Sequence, residues 1–388
     1  MKYFRVPSDI VFGWGSLSYL KEIKGKRAFI VTDSTIQKLG YVEKVESYLK
    51  EAGLATKVFA EVEPDPSRDT VDKGVKIMNE FQPDWIVGLG GGSSIDAAKG
   101  MWVKYEYPNL TWDEVFGELP PLRQKARFIA IATTSGTGSE VTCAAVITNR
   151  SVEPHVKNVI AGNEITPDIA ITDPELASNM PPKVTAATGM DVLTHAIESY
   201  TSIAATEIDK AIAIRAIQMV FRSLPKAYAD GRNKAAREDM HTASLMAGMA
   251  FTNSFLGIVH SLAHQLGSQY GIPHGLANSL MLPYVIEYNS IAVSELYAEI
   301  ASALKIDFEN NRDAVNKLVQ AIYQLQTDIG QPHTIKDAGV DEKTFFDRLE
   351  ITAQNALNDI CTYCNPRVPN IQDMKNLYTT AYYGKDSK

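Results

Sequence analysis

Two short stretches hold the residue types with the most chemistry in them. In "GMDVLTHAIESY" (189–200), Asp191 and His195 stand four apart, and the spacing of Val192, Leu193, Ala196 and Ile197 predicts an apolar helix beneath them. A carboxylate beside an imidazole on such a helix needs a partner, because an unpaired charge is costly to bury. In "GIVHSLAHQLGSQYGIPHG" (257–275), His260 and His264 repeat the four-residue step, and His274 lies in a Pro-His-Gly turn. One histidine among apolar neighbours is ordinarily a hydrogen-bonded core residue. Two i,i+4 pairs and a turn histidine, using four of the chain's 7 histidines, point instead to a shared ion. A carboxylate with two or three imidazoles suits Fe(II), Zn(II), Mn(II), Co(II) or Ni(II), and suits calcium or magnesium poorly. Catalysis would require one further coordination position left open for substrate.

A second chemistry is written in glycine. "WIVGLGGGSSIDAAKGMW" sets Gly90, Gly91 and Gly92 at the end of a β-rich run and Ser93 or Ser94 at the start of a helix. Glycines let a diphosphate approach the backbone, and the unpaired N–H groups at the positive end of a helix bind its charge. A tight turn with a serine cap would want only one or two glycines. In the usual dinucleotide fingerprint an acidic residue follows the glycines by about 20 positions. Here the order is reversed, since Asp33 of "IVTDST" comes two βα units earlier. If both strand ends face one crevice, Asp33 accepts hydrogen bonds from an adenosine ribose and repels a 2′-phosphate, favouring NAD over NADP. On the residues alone, a simple cap of the next turn explains Asp33 equally well. A third strand end, "IATTSGTGSEVT", brings Thr133, Thr134, Ser135, Thr137, Ser139 and Thr142 around Gly136 and Gly138, a density of hydroxyls and amides suited to ribose and phosphate.

These residues need elements to hold them. The first half alternates β-rich runs (27–33, 56–62, 84–92 and 127–134) with helical patterns (42–53 and 67–81), which implies a parallel, doubly wound sheet. From about Pro181 the texture changes to long helical segments, 183–201, 206–228, 235–250 and 254–270, with few β-rich runs between them. The expected plan is therefore an α/β dinucleotide-binding domain over 1–180 and an all-helical metal-binding domain over 181–388, with a hinge at Pro181 and Pro182. The 388 residues and 45% hydrophobic content support two cores. A net charge of −8 without a dense Lys/Arg run argues against nucleic acid or an anionic membrane as partner. The N-terminus lacks the apolar core of a signal peptide, and no run approaches the length needed to span a bilayer. Three cysteines, Cys143, Cys361 and Cys364, fit a reducing cytoplasm; the Cys-x-x-Cys pair is read as two partly buried thiols near a loop.

Taken together, "GGGSSIDAAK", "TTSGTGSEVT", "MPPKVTAATGMDVLTHAIESY", "AGMAF" and "GIVHSLAHQLGSQYGIPHG" resemble the iron-containing (group III) alcohol dehydrogenase family over nearly the whole chain. Within it the likeness is to butanol dehydrogenases of anaerobic bacteria and to the alcohol dehydrogenase half of bifunctional aldehyde/alcohol dehydrogenases, strengthened by "DICTYCNPR". The resemblance implies a dehydroquinate synthase-like fold with a Rossmann-like sheet. It implies a metal, Fe2+ or Zn2+, held by Asp191, His195, His260 and His274, with His264 nearby as a proton relay rather than a ligand. It places Asp33, Asp65, Gly91, Gly92, Ser93, Thr133, Thr134, Thr142 and Lys157 along the dinucleotide, NAD(H) being preferred over NADP(H). The implied reaction is reversible hydride transfer between NAD(H) and a small primary alcohol or aldehyde, of butanol, ethanol or propanediol type, in a homodimer or larger homo-oligomer. Glycerol dehydrogenase and lactaldehyde reductase are the alternatives within the superfamily. Ser94 departs from the pattern, where most relatives carry proline, and little effect on cofactor binding is expected. Phe251, Phe255, Leu256 and Cys361 are candidates for an apolar wall, although ordinary helix packing explains any one of them. At the N-terminus, "KYFRVPSDIVFG" reads as strands available for pairing between subunits.

Overall fold

The computed structural model of the chain describes residues 3–152 and 155–384. They form two compact units, one reaching to Asn179 and the other running from Met180.

The first unit is built on a parallel six-stranded sheet of β1 (Asp9–Phe12), β2 (Arg27–Val31), β3 (Ala55–Phe59), β4 (Trp85–Gly90), β5 (Arg127–Ala132) and β8 (Ile169–Thr172). Their order is β1-β8-β5-β4-β2-β3. Strands β6 (Ala144–Asn149) and β7 (Val156–Ala161) form a separate antiparallel pair. Helices α1 (Ser34–Lys38), α2 (Tyr41–Glu51), α3 (Arg68–Phe81), α4 (Gly92–Glu106), α5 (Trp112–Val115) and α6 (Pro174–Ala177) complete the unit. Both faces of the sheet are buried, so the central strands read as unbroken apolar runs. Alternate residues supply two cores: Phe29, Val31, Ile86 and Phe128 on one face, Ala28, Ile30, Val87 and Ile129 on the other. The hairpin β6–β7, half exposed and without a continuous apolar run, was not read from sequence, nor was the four-residue strand β8. The N-terminal stretch expected to pair between subunits supplies β1, whose partner is β8 of the same chain.

The second unit is all-helical among the described residues: α7 (Pro182–Thr201), α8 (Glu207–Ala229), α9 (Lys234–Ser254), α10 (Ile258–Tyr270), α11 (His274–Ala303, kinked at Val293), α12 (Asn311–Asp328), α13 (Glu342–Leu357) and α14 (Ile371–Tyr383). They surround one core that includes Leu193, Val220, Leu262, Leu280 and Ile322. Pro182 opens α7, where a missing N–H costs nothing. The expected break between helices at 250–254 falls later. Helix α9 runs on to Ser254, and Phe255, at φ 61 and ψ −172, turns the chain before α10 begins. That backbone region is nearly exclusive to glycine, so a helical pattern continuing through Phe255 gave no sign of the turn.

Candidate functional site

In the helical unit, α7, α10 and α11 each bring side chains to one point. Asp191 and His195 share a face of α7, His260 sits in the first turn of α10, and His274 is the first residue of α11. From Asp191 Oδ1 the Nε2 atoms of His195, His260 and His274 lie at 3.9, 3.8 and 3.5 Å. A tetrahedral ion with bonds of about 2.1 Å has neighbouring ligand atoms about 3.4 Å apart, so each of these three contacts with Asp191 is within about half an ångström of that spacing; Asp191, His195 and His260 form the tight group, and His274 adjoins it through Asp191. Asp191, His195 and His260 are buried, while His274 is 41% exposed in its side chain. The rings of His195 and His260 stack at 4.6 Å between centroids, and Phe251 covers the other face of His195 at 4.4 Å.

Asn278, one turn beyond His274 on α11, reports where the lone pairs point. Its Nδ2 lies 2.7 Å from Asp191 Oδ1 and 3.2 Å from Nε2 of both His260 and His274. An amide has two hydrogens, so three acceptors converging on it exceed what it satisfies. The surplus acceptor capacity, concentrated beside a buried carboxylate, is what a divalent cation takes.

His264 stands apart from this set. Its Nδ1 is 2.8 Å from Asp359 Oδ2, and its ring stacks on His274 at 5.4 Å. Burial raises the Asp359 carboxyl, but the hydrogen bond and charge of His264 bring it below the ordinary range. Burial, and then the charges of His195, His274 and His264, hold His260 well below an ordinary imidazole. Cys361, beside Asp359, lies with Cys364 on a short 3-10 turn (Ile360–Cys364), and both are free thiols. Phe255 is 56% exposed.

In the α/β unit the chain doubles back between β2 and β4, neighbours in the sheet whose connections leave in opposite directions. Such a switch point is where open α/β sheets bind ligands. Asp33 follows β2 and the glycines follow β4. Both explanations of Asp33 left open by the residues bear on this geometry: Oδ1 caps α1 by accepting from Thr35 and Ile36, at 2.8 and 3.1 Å, while Oδ2 accepts the Ser94 hydroxyl at 3.2 Å. Ser94 thus touches the residue expected to choose the cofactor, a contact that proline at this position cannot make.

Gly90 has φ 150, and a Cβ there would stand 2.6 Å from Ser94 Oγ; a Cβ on Gly92 would stand 2.9 Å from Thr137 Cγ2. A side chain at Gly90 or Gly92 would have to displace Ser94 or Thr137, and Gly91 caps α4 without a side-chain bond, so the first N–H groups of the helix beside Ser93 have no partner within it. Gly91 faces the Thr134 side chain, and Thr133 is buried with its hydroxyl unsatisfied. Thr142 turns inward, its hydroxyl 3.0 Å from Lys99 Nζ. Asp65 and Lys157 pair with each other at 2.7 Å on the surface.

The glycine loop and the threonine loop are tied together by residues the motif reading passed over. Lys99, wholly buried in α4, donates to Ser139 O, Thr142 O and Ala144 O at 2.8 to 2.9 Å, and Asp96 accepts from Ser139 Oγ and the Val146 amide. Burial pushes Lys99 down to about 8 and Glu140 up to about 7. Three further residues were missed. Glu198 and Asn278 repeat the helical spacing of the ligands, at i+3 from His195 and i+4 from His274, and were legible. Asp359 lies 95 residues from His264, with no local signal.

Comparison with known proteins gives a consistent set of relatives. A family model described as iron-containing alcohol dehydrogenase matches residues 7–174, and one for the C-terminal part of the Fe-containing alcohol dehydrogenase family matches 185–382. An NADPH-dependent butanol dehydrogenase of Clostridium saccharobutylicum is 45% identical, covering 100% of this chain and 99% of that protein. A bifunctional aldehyde-alcohol dehydrogenase of Escherichia coli is 41% identical over 100% of this chain and 47% of its own length. Among solved structures, a 1,3-propanediol oxidoreductase superposes with a TM-score of 0.93 at 40% identity, covering 98% of this chain and 100% of that one.

Proposed function

The chain belongs to the iron-containing alcohol dehydrogenase family, and from that premise we propose that Asp191, His195, His260 and His274 hold a catalytic divalent ion, Fe(II) ahead of Zn(II). The protein is an oxidoreductase of short-chain alcohols and aldehydes. The observation that carries the ligand assignment is the convergence of three Nε2 atoms on Asp191 Oδ1 at 3.5 to 3.9 Å. When bound, the ion supplies Lewis acidity that acidifies an alcohol hydroxyl or polarises an aldehyde carbonyl, and the nicotinamide accepts or supplies hydride. Asp191 contributes the set's one formal charge and the imidazoles none, so the ion keeps most of its Lewis acidity. His264, with Nδ1 engaged by Asp359, exchanges the substrate oxygen's proton at Nε2. Phe251, lying over His195, keeps water from that side of the set.

The dinucleotide is held by the Gly91-Gly92-Ser93 turn with Thr133 and Thr134, and Thr142 acts through the loop it anchors. Asp65 and Lys157 lie at the rim. NAD(H) is the preferred form because Asp33 sits fixed at the end of β2, although the C. saccharobutylicum relative carries an NADPH name. Butyraldehyde and butanol are the first substrates to test, propanediol the next. The chain works in the cytoplasm, which three cysteines without a disulfide suit, and as a homodimer or larger homo-oligomer.

The test is anaerobic NADH oxidation with butyraldehyde by chelator-stripped protein, before and after adding Fe(II) or Zn(II). Activity that returns with metal supports the reading and ranks the ions. Protein that binds NADH and metal yet turns over no short aldehyde removes the substrate assignment.

A further inference from the structure

Resting on the metal reading above, we infer that Glu198 is a positioning residue that fixes His260 as a metal ligand and sets how tightly the ion is held. Glu198 lies on α7 one turn past His195, is buried, and belongs to none of the pairs that face the ion. Its two oxygens are occupied by the first turn of α10: Oε2 lies 2.5 Å from His260 Nδ1, and Oε1 accepts the Val259 amide at 2.7 Å.

The other ring nitrogen settles the direction of that bond. Asp191 accepts but cannot donate, so Asn278 must turn its NH2 group toward it, and the same Nδ2 then faces His260 Nε2 at 3.2 Å. Nε2 therefore carries a lone pair and the ring proton sits on Nδ1, donated to Glu198. This is the tautomer a ligand needs, and a carboxylate on the far nitrogen both orients the ring and raises its basicity.

The backbone closes over the arrangement. A Cβ at Gly257 would stand 2.9 Å from Glu198 Oε1 and 2.9 Å from Asn365 Oδ1, so this glycine admits α10 against the carboxylate. Asn365 Oδ1 in turn accepts from Ile258 N at 3.3 Å and Asn289 Nδ2 at 2.9 Å. One helix thereby supplies two ligands to the ion and the support for a third.

The test uses full-length, chelator-stripped protein titrated with Co(II), read by its visible absorption. Glu198→Gln keeps the size but offers one acceptor where two donors wait, and should weaken Co(II) binding about 10- to 100-fold. NADH binding, followed by fluorescence, should stay unchanged, because the glycine turn lies in the other unit. In a His260→Ala background the same change should alter Co(II) affinity by less than about twofold, since the coupling runs through the missing ring.

Parent-like Co(II) affinity in Glu198→Gln overturns the inference, as does equal weakening with and without His260. Should Glu198→Gln fail to fold, histidine 15N spectra of the parent decide: a proton on Nδ1 of His260 supports the inference and one on Nε2 overturns it. A parent that binds no Co(II) removes the metal reading itself, and this inference with it.

Discussion

Asp33 receives three hydrogen bonds from its own unit, from the Thr35 and Ile36 amides and the Ser94 hydroxyl. A carboxylate so fixed presents its charge at one place, and a 2′-phosphate brought to within about 5 Å would meet a repulsion of a few kcal/mol at the effective dielectric of a protein surface. Asp33→Gly removes that charge while losing only a few tenths of a kcal/mol of capping. The ratio of kcat/KM for NADPH to that for NADH should rise at least about tenfold, and an unchanged ratio would assign Asp33 to capping alone. At this scale the sequence was most informative where spacing and residue type agreed. Asp191 with His195 and His260 with His264 were picked out by the four-residue step, though His264 stands outside the set around Asp191; Glu198, three residues past His195, and Asn278, four past His274, also keep helical spacing but carry no metal signature of their own. Asp359 was out of reach because its partner is distant in the chain.

Helix α4 is more than a support for the glycine turn. Lys99 and Asp96 reach from it to the loop 139–146, so that loop's shape depends on two charges buried one turn apart. Glu140, in the same loop, has an ordinary value of 4.5 pushed up to about 7 by burial. Between those values the folded state holds a proton that the unfolded chain has lost. The stabilisation is complete below about 4.5 and disappears as pH rises through about 7, with an upper limit of about 3 kcal/mol. Lys99, pushed down to about 8 from 10.5, works in the opposite sense, stability rising from about 8 toward 10.5. Glu140→Gln should accordingly raise the melting temperature relative to the parent at pH 8 and leave it near the parent's at pH 5. A gain equal at both values would show that Glu140 does not titrate between them. The buried strands β2, β4 and β5 were plain in the sequence because their apolar runs are continuous, whereas β8, equally buried, is only four residues long and was not read. The hairpin β6–β7 was not, being half exposed with no continuous apolar run, and the turn at Phe255 was hidden because it uses a backbone conformation that its residue type disfavours.

The molecule has separate cores in its two units, and the change of texture near Pro181 marked the passage from one to the other. No single helix among the described residues is long and apolar enough to cross a membrane. The proposed sites lie one in each unit, so their two ligands stabilise different units. A ligand at about 100 times its dissociation constant adds about 2.7 kcal/mol to the state that binds it. Calorimetry should show chelator lowering the midpoint of the helical unit and NADH raising that of the α/β unit by several degrees. Metal acting on the α/β transition would contradict the ligand assignment.

The donor atoms around Asp191 stand near coordination spacing on three helices packed into a large core, with Asn278 holding them together. A pocket built in advance asks an incoming ion for little rearrangement, and its mixture of one oxygen and three nitrogens is acceptable to most first-row divalent metals. A site of this composition discriminates weakly among those metals, so the identity of the proposed ion would follow supply as well as affinity.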